Sequence, residues 1–434
     1  MTNLRLTIFV CTLGLFFPPP AAPQTDVYLK LSTSERRPLE LAVAGIQRQG
    51  KTAPAITSQA EQLISVLSED LSFSLHFLLL EPPGGDPEYG FKKGRPVPGS
   101  WRLLGAKMLL IPELRGDKKG GHLKVRIMDL GIERDIFASE MLLDHTRRQA
   151  HRLGDQIIKA LTGENGVAST QIAFCQRAGD NKELALCDYD GHQARQLTSL
   201  NTINLSPDWS PDGARLAFIS FQRHRAEVYS LELASGQLKI LSQVEGLNTS
   251  PAWSPDGRKL ALTLSQDGNA EIYLYDLGSR KLQRLTNSWA IDCSPSWSPN
   301  GRELAFTSDR PGSPQIYLMD ADGSSLRRLT YQGGYNTSPV WSPKGDKVAF
   351  VSRINGRFQV CTINVTGDGL SQLTFEGDNE DPSWSPDGLH LAFSSNRNGR
   401  PQLWLMHWDG SDQRIITNLE GAEMPAWGPV PYQP

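Results

Sequence analysis

The sequence predicts a mainly β protein in which a small α+β domain (residues 24–165) precedes a six-bladed β-propeller (residues 166–434). The first observation behind this is a Trp-Ser-Pro-x-Gly pentapeptide that recurs every 43 or 44 residues. The second is the joint abundance of 39 glycines, 29 prolines and 10 tryptophans, which is typical of many short strands joined by tight turns. The third is that the repeat begins without a first strand and ends with an additional first strand, so its two ends complement each other.

Residues 1–23 are predicted to be a signal peptide. Met1–Arg5 carries one positive charge, Leu6–Phe17 is a 12-residue apolar run, and Pro18–Pro23 interrupts that run. The run is too short to span a bilayer, so the sequence predicts an exported chain that does not cross the membrane. An uncleaved N-terminal anchor is the alternative. A lipidation site at Cys11 is rejected because the residues before it are not small.

The charge of the chain excludes several classes of function. Lysine and arginine together number 44, aspartate and glutamate 47, and the formal net charge at pH 7 is −3. A protein that binds nucleic acid by neutralising many phosphates would be basic, and so would a polybasic protein of the membrane surface. We therefore expect neither nucleic acid nor an anionic membrane surface as a partner.

Four cysteines follow the predicted signal peptide: Cys175, Cys187, Cys293 and Cys361. They show no Cys-x-x-Cys spacing, so the sequence does not favour a zinc site. Cys175 and Cys187 end two apolar segments that are typical of neighbouring antiparallel strands. Two interpretations stay open for this pair: a cross-strand disulfide, which export would permit, and two buried free thiols.

Strand and helix patterns alternate in residues 24–165. The predicted strands are Val27–Leu31, Leu39–Ile46, Leu75–Leu80, Lys107–Pro112, Leu123–Asp129 and Ile136–Leu143. A first helix is predicted from a capping box at Ser58–Glu61, followed by apolar residues at helical spacing as far as Leu71. A second helix is predicted between Asp144, as its cap, and Gly163, which closes it. His145 and His151 lie on or beside this helix and are interpreted as surface residues.

The rest of the chain is an internal repeat. Its tryptophans are separated by 44, 44, 44, 43 and 43 residues, and a proline stands two residues before each of them. They are Trp209, Trp253, Trp297, Trp341, Trp384 and Trp427, the last in a degenerate copy. An apolar triplet such as Leu216–Phe218 follows each of the first five copies, and most copies end in a turn and a Leu-Thr pair.

A period of about 43 residues that holds four short strands is the signature of a β-propeller blade. The Pro-x-Gly turn is predicted to join the first two strands of each blade, and the tryptophan to fill the wedge between neighbouring blades. The region opens at Ile172–Phe174 with no tryptophan strand before it and ends at Trp427 with no apolar triplet after it. The strand around Trp427 should therefore complete the blade that begins at residue 171, which closes a ring of six and hides the sheet edges.

This organisation resembles the TolB family, the periplasmic component of the bacterial Tol–Pal system, over essentially the whole mature chain. Similar blades occur in other exported propellers and in those of oligopeptidases, so the segments before the blades are more specific. Arg37–Ile46, Trp101–Ala106 and Ala160–Gly163 resemble the N-terminal domain of the family, in the same order. Departures are confined to turn positions such as Asn300 and Lys344, where the repeat usually has aspartate.

The resemblance implies a periplasmic scaffold that is monomeric, needs no cofactor and is not an enzyme. One face of the propeller is implied to bind the peptidoglycan-associated lipoprotein Pal, and other outer-membrane lipoproteins are further candidate partners. The start of the mature chain is implied to bind a TolA-type inner-membrane protein through Thr25, Asp26, Val27, Tyr28, Leu29 and Lys30. The complex is implied to support outer-membrane invagination during cell division and outer-membrane integrity.

Propeller geometry indicates where Pal would bind. The segments that enter the innermost strands crowd one rim of the central channel, and Asn, Thr and Ser recur in them, which suits a polar surface for a partner. The predicted Pal face consists of Asn204, Leu205, Leu247, Asn248, Thr249, Ser250, Asp292, Cys293, Ser294, Asn336, Thr337, Ser338, Glu380, Asp381 and Met424. The alternative is that these side chains only satisfy the hydrogen bonds of strand ends.

An enzyme is the main competing interpretation. A serine hydrolase would carry a Gly-x-Ser-x-Gly elbow, and neither this motif, nor His-Glu-x-x-His, nor a phosphate-binding glycine loop occurs. Asp188–Gly191 and Asp320–Gly323 resemble the start of an EF-hand loop but lack the later ligands, so they are interpreted as turns. An acidic channel mouth at Asp292, Glu380 and Asp381 would hold a cation weakly. Two further alternatives are a propeller that binds a small ligand or glycan in its channel and a propeller that gates an oligopeptidase.

Overall fold

The computed structural model describes residues 37–431 apart from residues 51, 118–119, 418 and 420. The predicted signal peptide, the predicted strand Val27–Leu31 and the predicted TolA-type segment Thr25–Lys30 lie outside the described residues. From Pro38 onward the chain forms one compact unit, in which a mixed sheet with helices precedes a ring of antiparallel sheets. Within the described part, no helix is both long enough and apolar enough to cross a membrane.

The first part of this unit is built on a mixed sheet. Its elements in chain order are β1 Leu39–Val43, β2 Gln47–Gln49, α1 Pro54–Phe73, β3 Phe77–Leu80, a 3-10 turn Pro83–Gly85, β4 Phe91–Lys92, β5 Arg95–Pro96, α2 Pro98–Leu103, β6 Met108–Asp117, β7 Gly120–Asp129, β8 Arg134–Leu142 and α3 Thr146–Thr162. The sheet has the strand order β3-β1-β6-β7-β8, and β2 also pairs with β6. β1 runs parallel to both β3 and β6, whereas β6, β7 and β8 form an antiparallel meander. A strand is present at each predicted place in the described part.

Helix α1 begins earlier than predicted. Its first residue is Pro54, so Ser58 lies inside the helix and the capping box predicted at Ser58–Glu61 is wrong. Proline suits the first helical position because its missing N–H needs no partner there and its ring already holds a helical φ. The predicted apolar stripe is confirmed, since Leu63 and Leu71 are buried in the core between helix and sheet.

Helix α3 ends as predicted but begins differently. His145 precedes its first turn, so the prediction that Asp144 caps the helix is wrong, and the Asp144 carboxylate instead accepts a hydrogen bond from the His145 backbone N–H. At the other end Gly163 has a φ of 77°, a left-handed conformation that glycine adopts without steric cost. Ile157 belongs to the buried face of α3, which packs with α1 over the sheet.

The second part consists of six four-stranded antiparallel sheets. Its strands in chain order are β9 Gln171–Ala178, β10 Asn181–Asp188, β11 Arg195–Gln196, β12 Asn204–Trp209, β13 Arg215–Ser220, β14 Glu227–Glu232, β15 Leu238–Ser242, β16 Asn248–Trp253, β17 Lys259–Leu264, β18 Glu271–Asp276, β19 Leu282–Arg284, β20 Asp292–Trp297, β21 Glu303–Ser308, β22 Gln315–Asp320, β23 Arg327–Arg328, β24 Asn336–Trp341, β25 Lys347–Ile354, β26 Arg357–Asn364, β27 Ser371–Gln372, β28 Asn379–Trp384, β29 His390–Ser395, β30 Gln402–His407, β31 Arg414–Ile415 and β32 Ala422–Trp427. Blades I to V are the successive groups of four from β12 to β31, and blade VI has the order β32-β9-β10-β11.

Blade VI joins the two ends of the propeller. Its innermost strand is β32, which pairs antiparallel with β9 so that Trp427 lies opposite Ile172 and Ala426 opposite Ala173. The predicted ring of six and its closure by the C-terminal strand are therefore confirmed. Because both ends of the propeller contribute to one sheet, the ring is not closed until its last strand is in place.

The pentapeptide forms the predicted turn between the first two strands of a blade. In blade I the Ser210 backbone N–H donates to the Arg215 carbonyl at 2.9 Å, and the Asp212 carboxylate accepts a hydrogen bond from the Ala214 N–H at 3.0 Å. Gly213 has a φ of 69°, which the turn requires and a side chain would disfavour. The turn thus depends on the residue types that recur in the sequence.

The tryptophans of the repeat occupy the wedge between blades, as predicted. Trp253 of blade II packs against Ala217 and Val228 of blade I. Trp297 also forms a hydrogen bond that the sequence pattern does not reveal. Its Nε1 donates to the Ala252 carbonyl of the preceding blade at 3.1 Å. Trp209 and Trp384 form equivalent hydrogen bonds between blades, whereas the buried Nε1 of Trp253 and that of Trp341 have no partner in the described chain, so these two contribute buried area alone.

The four described cysteines are free thiols. In the ladder between β9 and β10, Cys175 lies opposite Leu184 and Cys187 lies opposite Ile172, and the two side chains belong to different apolar clusters. Burial raises the pKa of both thiols and so keeps them protonated. Of the two interpretations, buried free thiols are therefore correct.

Candidate functional site

The innermost strands β12, β16, β20, β24, β28 and β32 surround a central channel. The cavity in the channel has a volume of about 360 Å³. At one rim, the outermost strand of each blade connects to the innermost strand of the next. These crossovers are residues 197–203, 243–247, 285–291, 329–335, 373–378 and 416–421. The predicted Pal face lies at this end of the channel, which is termed the crossover rim.

The third residue of each innermost strand has a positive φ and precedes a proline. These residues are Ser206 (51°), Ser250 (50°), Ser294 (54°), Ser338 (52°), Asp381 (53°) and Met424 (52°). At this point the ladder to the second strand shifts register in every blade. Non-glycine residues seldom adopt this conformation, and contacts with the preceding blade support it. The Ser338 N–H, for example, donates to Thr307 Oγ1 at 3.1 Å.

The first residue of each of the six innermost strands is fully buried. Four members of the predicted Pal face are 0% exposed: Asn204, Asn248, Asp292 and Asn336. Their side chains bond within the protein, as where Asn336 Nδ2 donates to Gln315 Oε1 at 2.8 Å. The expectation that these four contact a partner is therefore corrected, because they satisfy strand ends as the alternative proposed.

A related arrangement follows blades VI, II, III and IV and is termed the blade latch. It joins a Glu or Gln on the third strand of one blade, a Thr after its last strand and the first residue of the next blade. After blade I a serine, Ser242, replaces the threonine, and after blade V the next blade begins with the apolar Ala422. Gln359 Oε1, for example, accepts hydrogen bonds from Thr374 Oγ1 at 2.8 Å and from Asn379 Nδ2 at 3.1 Å. The latch therefore connects blades beneath the crossover that links them.

Asp292 places a carboxylate where the neighbouring latches have an asparagine. Its Oδ2 accepts a hydrogen bond from Arg310 Nη2 at 2.6 Å. Burial, together with the negative charge of Glu271, outweighs the contributions of Ser308 and Arg310 and raises the pKa of Asp292 to about 6. Ionised Asp292 is thus a destabilising feature of the link between blades II and III.

We expect Asp292→Asn to change how stability depends on pH. Since the folded pKa of Asp292 lies above its ordinary value of 3.8, its contribution to stability is complete below pH 3.8 and is lost as the pH rises through about 6. The free energy of unfolding of the variant, relative to that of the wild type, should therefore increase by roughly 2–3 kcal/mol when the pH is raised from 4 to 7. Urea unfolding at both pH values measures this, and a constant difference between the two proteins would contradict it.

The second residues of the innermost strands are accessible. Partly or fully exposed members of the predicted Pal face at this position are Leu205, Thr249, Cys293, Thr337 and Glu380. Leu247, one residue before β16, is 51% exposed. These six residues therefore remain candidates for contact with a partner. So do the partly exposed members of the predicted face that line the channel cavity, namely Ser250, Ser294, Ser338, Asp381 and Met424.

The channel mouth is acidic at blades V and VI. Glu380 lies on β28, and Glu423 takes the corresponding position on β32, where it pairs with Lys182. Partial burial and the negative charges of Asp381, Asp378 and Glu423 raise the pKa of Glu380 to about 7. A positively charged group from outside would be attracted to this part of the rim.

The crossover rim also carries exposed aromatic residues that sequence reasoning missed. Trp289, Tyr331 and Phe375 are 78%, 72% and 69% exposed and lie in three successive crossovers. A signal for them existed in the sequence, because each follows within three residues of the threonine that ends a blade, where a polar turn residue is usual. The rim is therefore more apolar than its Asn, Thr and Ser residues suggested.

The end of helix α1 packs on the propeller at blade V. Phe73 stacks on His390 of β29 with their ring centroids 4.1 Å apart, and the Phe73 carbonyl lies 2.7 Å from His390 Nε2. The Arg414 guanidinium lies 3.7 Å from the centroid of the same phenylalanine ring. The first part of the unit is thus fixed to the ring by specific contacts.

A buried charged cluster lies beside this contact, between the helices and blade VI. His151 of α3 is 3% exposed, so its interpretation as a surface residue is wrong. Its Nδ1 lies 2.8 Å from Asp70 Oδ2 on α1, and its Nε2 lies 3.2 Å from Asp190 Oδ2 after β10. Burial alone would lower the pKa of His151, but the hydrogen bonds and charges of Asp190 and Asp70 outweigh burial and raise it to about 9.

The cluster includes one of the segments that resemble the start of an EF-hand loop. Asp188–Gly191 forms a turn, as predicted, in which the Gly191 N–H donates to the Asp188 carbonyl at 2.8 Å. His151, Asp188 and Asp190 have ligand atoms within 4.8 Å of one another, which is close enough to share a metal ion. However, Arg147 Nε already donates to Asp190 Oδ2 at 3.0 Å. The arginine therefore supplies the positive charge that a metal ion would otherwise provide.

The propeller matches a known family. Residues 158–431 match the family described as the TolB beta propeller domain. The chain belongs to the TolB family. The membership expected from the residues is thereby confirmed.

Relatives with the name Tol-Pal system protein TolB include one from Geobacter sulfurreducens, 39% identical over 219 residues, which are 50% of each chain. Another, from Anaeromyxobacter dehalogenans, is 33% identical over 232 residues, which are 52% of each chain. The chain spans about half the length of the curated relatives it matches. The crystal structure of TolB from Acinetobacter baumannii is similar over 91% of this chain and 98% of its own, with a TM-score of 0.77 and 27% identity.

Proposed function

We propose that this member of the TolB family is a periplasmic, non-catalytic adaptor of the Tol–Pal system. Relatives that carry the name Tol-Pal system protein support this, as does the similarity to Acinetobacter TolB over both parts of the described chain. Residues 1–23 would be the signal peptide, residues 24–165 the N-terminal domain and residues 166–434 the propeller. The protein would act as a monomer without a cofactor, in outer-membrane invagination during division and in outer-membrane integrity.

The crossover rim is the proposed binding site for Pal. The observation that carries this proposal is the concentration of exposed apolar side chains on the rim, where three aromatic residues are each at least 69% exposed. Soluble proteins seldom expose such a patch outside an interaction site. The accessible members of the predicted Pal face lie on the same rim, between the aromatic residues and the channel.

The segment Thr25–Lys30 is the proposed binding site for the TolA-type partner. This proposal derives from the family resemblance alone, since the segment lies outside the described residues. It is a short, mixed polar and apolar stretch that directly follows the predicted signal peptide. The two partners would therefore bind different parts of the chain.

Deletion of residues 25–30 from the mature protein tests both assignments. We expect the deletion to abolish binding of the periplasmic region of the TolA-type protein, because it removes the proposed contact segment. Binding of the soluble Pal domain should be unchanged, since the crossover rim is intact. Calorimetry with both proteins from the same organism measures the two affinities.

Two results would count against the proposal. Loss of both interactions, or of neither, would contradict separate sites. A wild-type protein that does not bind Pal, but binds peptidoglycan fragments saturably, would instead support a propeller that binds a glycan in its channel.

A further inference from the structure

Strand β8, Arg134–Leu142, is an edge of the mixed sheet and, at nine residues, the longest edge strand of the described chain. In the strand order β3-β1-β6-β7-β8 it pairs with β7 on one side, and no described strand pairs with it on the other. Proteins usually shorten such an edge or place lysine or proline on it, because its backbone N–H and C=O groups can pair with another chain. The second half of β8, Phe137–Leu142, contains neither residue.

The other outer edges of the described sheets are protected in these ways. β3, at the opposite side of the same sheet, has only four residues and is followed closely by Pro82 and Pro83. The outermost strands of the six blades have two to five residues, and most carry a cation, such as Arg195, Lys239 and Arg414. The long edge of β8 is therefore an exception within this chain.

The backbone groups that β8 directs outward belong to alternate residues. The Leu143 N–H donates to the Gly121 carbonyl at 2.8 Å, which fixes the alternation of the antiparallel ladder between β7 and β8. It follows that Ala138 and Glu140 direct both their N–H and C=O groups away from β7. The Leu142 carbonyl points the same way and accepts a hydrogen bond from a glutamine of α3 at 2.6 Å, in agreement with this alternation.

A bulge restricts the open edge to the second half of the strand. Ile127 and Met128 of β7 lie opposite Phe137 and Asp135, so Ile136 is an extra residue in β8. A bulge bends the strand and interrupts regular pairing. An added strand would therefore pair with the part of β8 that follows the bulge.

The face of the sheet opposite the helices determines which side chains an added strand should carry. Across this face Glu113 of β6, Lys124 of β7 and Glu140 of β8 lie side by side, so that their charges alternate. A cavity of about 210 Å³ on the same face is lined by Gln49, Glu113, Arg115, His122, Lys124 and Glu140. Opposite charges on neighbouring strands stabilise a sheet, so the next position in this row favours a lysine or arginine.

Glu140 is placed to receive such a cation. It is exposed, whereas Glu113 in the same row accepts a hydrogen bond from Arg126 Nη2 at 2.6 Å. Its neighbours along the strand on this face, Ala138 and Leu142, are exposed and apolar. The edge thus presents one negative charge between two apolar positions.

We propose that the edge of β8 binds an extended segment of a protein partner as an added strand. This segment would have a lysine or arginine opposite Glu140 and apolar residues two positions before and after it, opposite Ala138 and Leu142. Backbone hydrogen bonds to the edge would provide affinity, and the alternate side chains would provide specificity. The proposal does not rest on the adaptor function, and the edge is separate from the sites proposed for Pal and the TolA-type protein.

A second copy of this chain fits the edge less well. In an antiparallel pair of β8 strands, the register that places Glu140 opposite Arg134 runs through the bulge at Ile136 in both copies. Registers that avoid the bulge place Glu140 opposite Ala138, Glu140 or Leu142 of the other copy, and none of these is a cation. The charge of the edge therefore favours a different chain.

Two synthetic peptides test the charge preference against the full mature chain. The lysine peptide is Ser-Val-Thr-Lys-Thr-Val-Ser, and the control peptide has glutamate in place of lysine. We expect the wild type to bind the lysine peptide about five- to tenfold more tightly than the control, because only lysine is complementary to Glu140. Glu140→Lys should reverse this order. Fluorescence anisotropy of the labelled peptides measures the four affinities.

A matched pair of substitutions tests the backbone edge. Ala138→Pro removes an N–H that points away from β7, a position at which an edge strand tolerates proline. It should abolish binding of the lysine peptide, whereas Ala138→Ser, which keeps the N–H, should bind within about twofold of wild type. The peptide should also slow hydrogen exchange of the Glu140 amide in the wild type. Circular dichroism verifies that both variants are folded, and the reversal by Glu140→Lys decides the question if Ala138→Pro is not.

Several results would overturn the proposal. These are equal binding of the two peptides, binding by Ala138→Pro at the wild-type level, and no binding of either peptide to the mature chain. Peptide binding that appears only after deletion of residues 24–36 would assign the edge to the chain's own N-terminal segment instead. A dimer in sedimentation that Ala138→Pro dissociates would assign it to a second copy. Binding of Pal and of the TolA-type protein is measured separately, so the proposed function can stand or fail independently.

Discussion

Replacing Trp427 with alanine is expected to lower the free energy of unfolding by about 3–5 kcal/mol. The matched replacement Trp289→Ala is expected to change it by less than about 0.5 kcal/mol. Both tryptophans belong to the propeller, but Trp427 is 6% exposed whereas Trp289 is 78% exposed. The pair therefore separates the effect of burial from the loss of an indole as such.

Trp427 stabilises the strand that closes the ring. Its side chain packs in one apolar cluster with Ile172 of β9 and Leu403 of β30. Its Nε1 donates to Thr170 Oγ1 at 2.7 Å, and its backbone N–H donates to Ser383 Oγ at 2.9 Å. Truncation would leave a cavity between blades V and VI and deprive the buried Thr170 hydroxyl of a donor.

Urea unfolding followed by circular dichroism measures this prediction without relying on tryptophan fluorescence. If the two variants are equally stable, the closing strand is held by its backbone ladder to β9, and the indole has no special role. A lower denaturant dependence in Trp427→Ala would indicate that blade VI opens before the rest of the ring.

Closure of the ring could be predicted because it depends on the order of the repeat along the chain. A propeller that begins at its second strand, Ile172–Phe174, and ends with a first strand at Trp427 has one arrangement in which every blade is complete. The start of α1 could not be predicted in this way. Pro54 and Ser58 are both good start signals and lie four residues apart, so local pattern does not decide between them.

The site was only partly predictable, because the type of a residue does not show whether its side chain is buried or exposed. Asn336 and Thr337 are adjacent polar residues, yet the first is fully buried and the second is accessible. The difference arises from Gln315, which lies 21 residues earlier and binds the asparagine from within the blade. His151 is a similar case, since its partner Asp70 is 81 residues away and no local pattern connects them.

The free energy of unfolding of the wild-type protein should fall by about 3 kcal/mol between pH 6.5 and pH 9 because of His151. Folding raises the pKa of this histidine from its ordinary 6.5 to about 9. The folded state therefore holds the proton more tightly than the unfolded state. This contribution is complete below pH 6.5 and is lost as the pH rises through about 9.

The double variant Asp70→Asn/His151→Gln should not show this loss. Changing both residues avoids leaving Asp70 as a buried carboxylate without its cation, since burial already raises the pKa of this group. The amide at position 70 can still accept the hydrogen bond that the Tyr189 hydroxyl donates to Asp70 in the wild type. Asp190 keeps Arg147 as its partner, so no buried charge is left uncompensated.

Urea unfolding of both proteins at pH 6.5 and pH 9, at one ionic strength, tests the role of the cluster. His151 and Asp70 lie on two helices, and Asp190 lies in blade VI, so the lost stability should appear as earlier separation of the helices from the ring. Hydrogen exchange in α1 and α3 would then increase at pH 9 in the wild type alone. If both proteins lose stability equally, the imidazole is neutral in the folded state, and the cluster is held by its hydrogen bonds and not by charge.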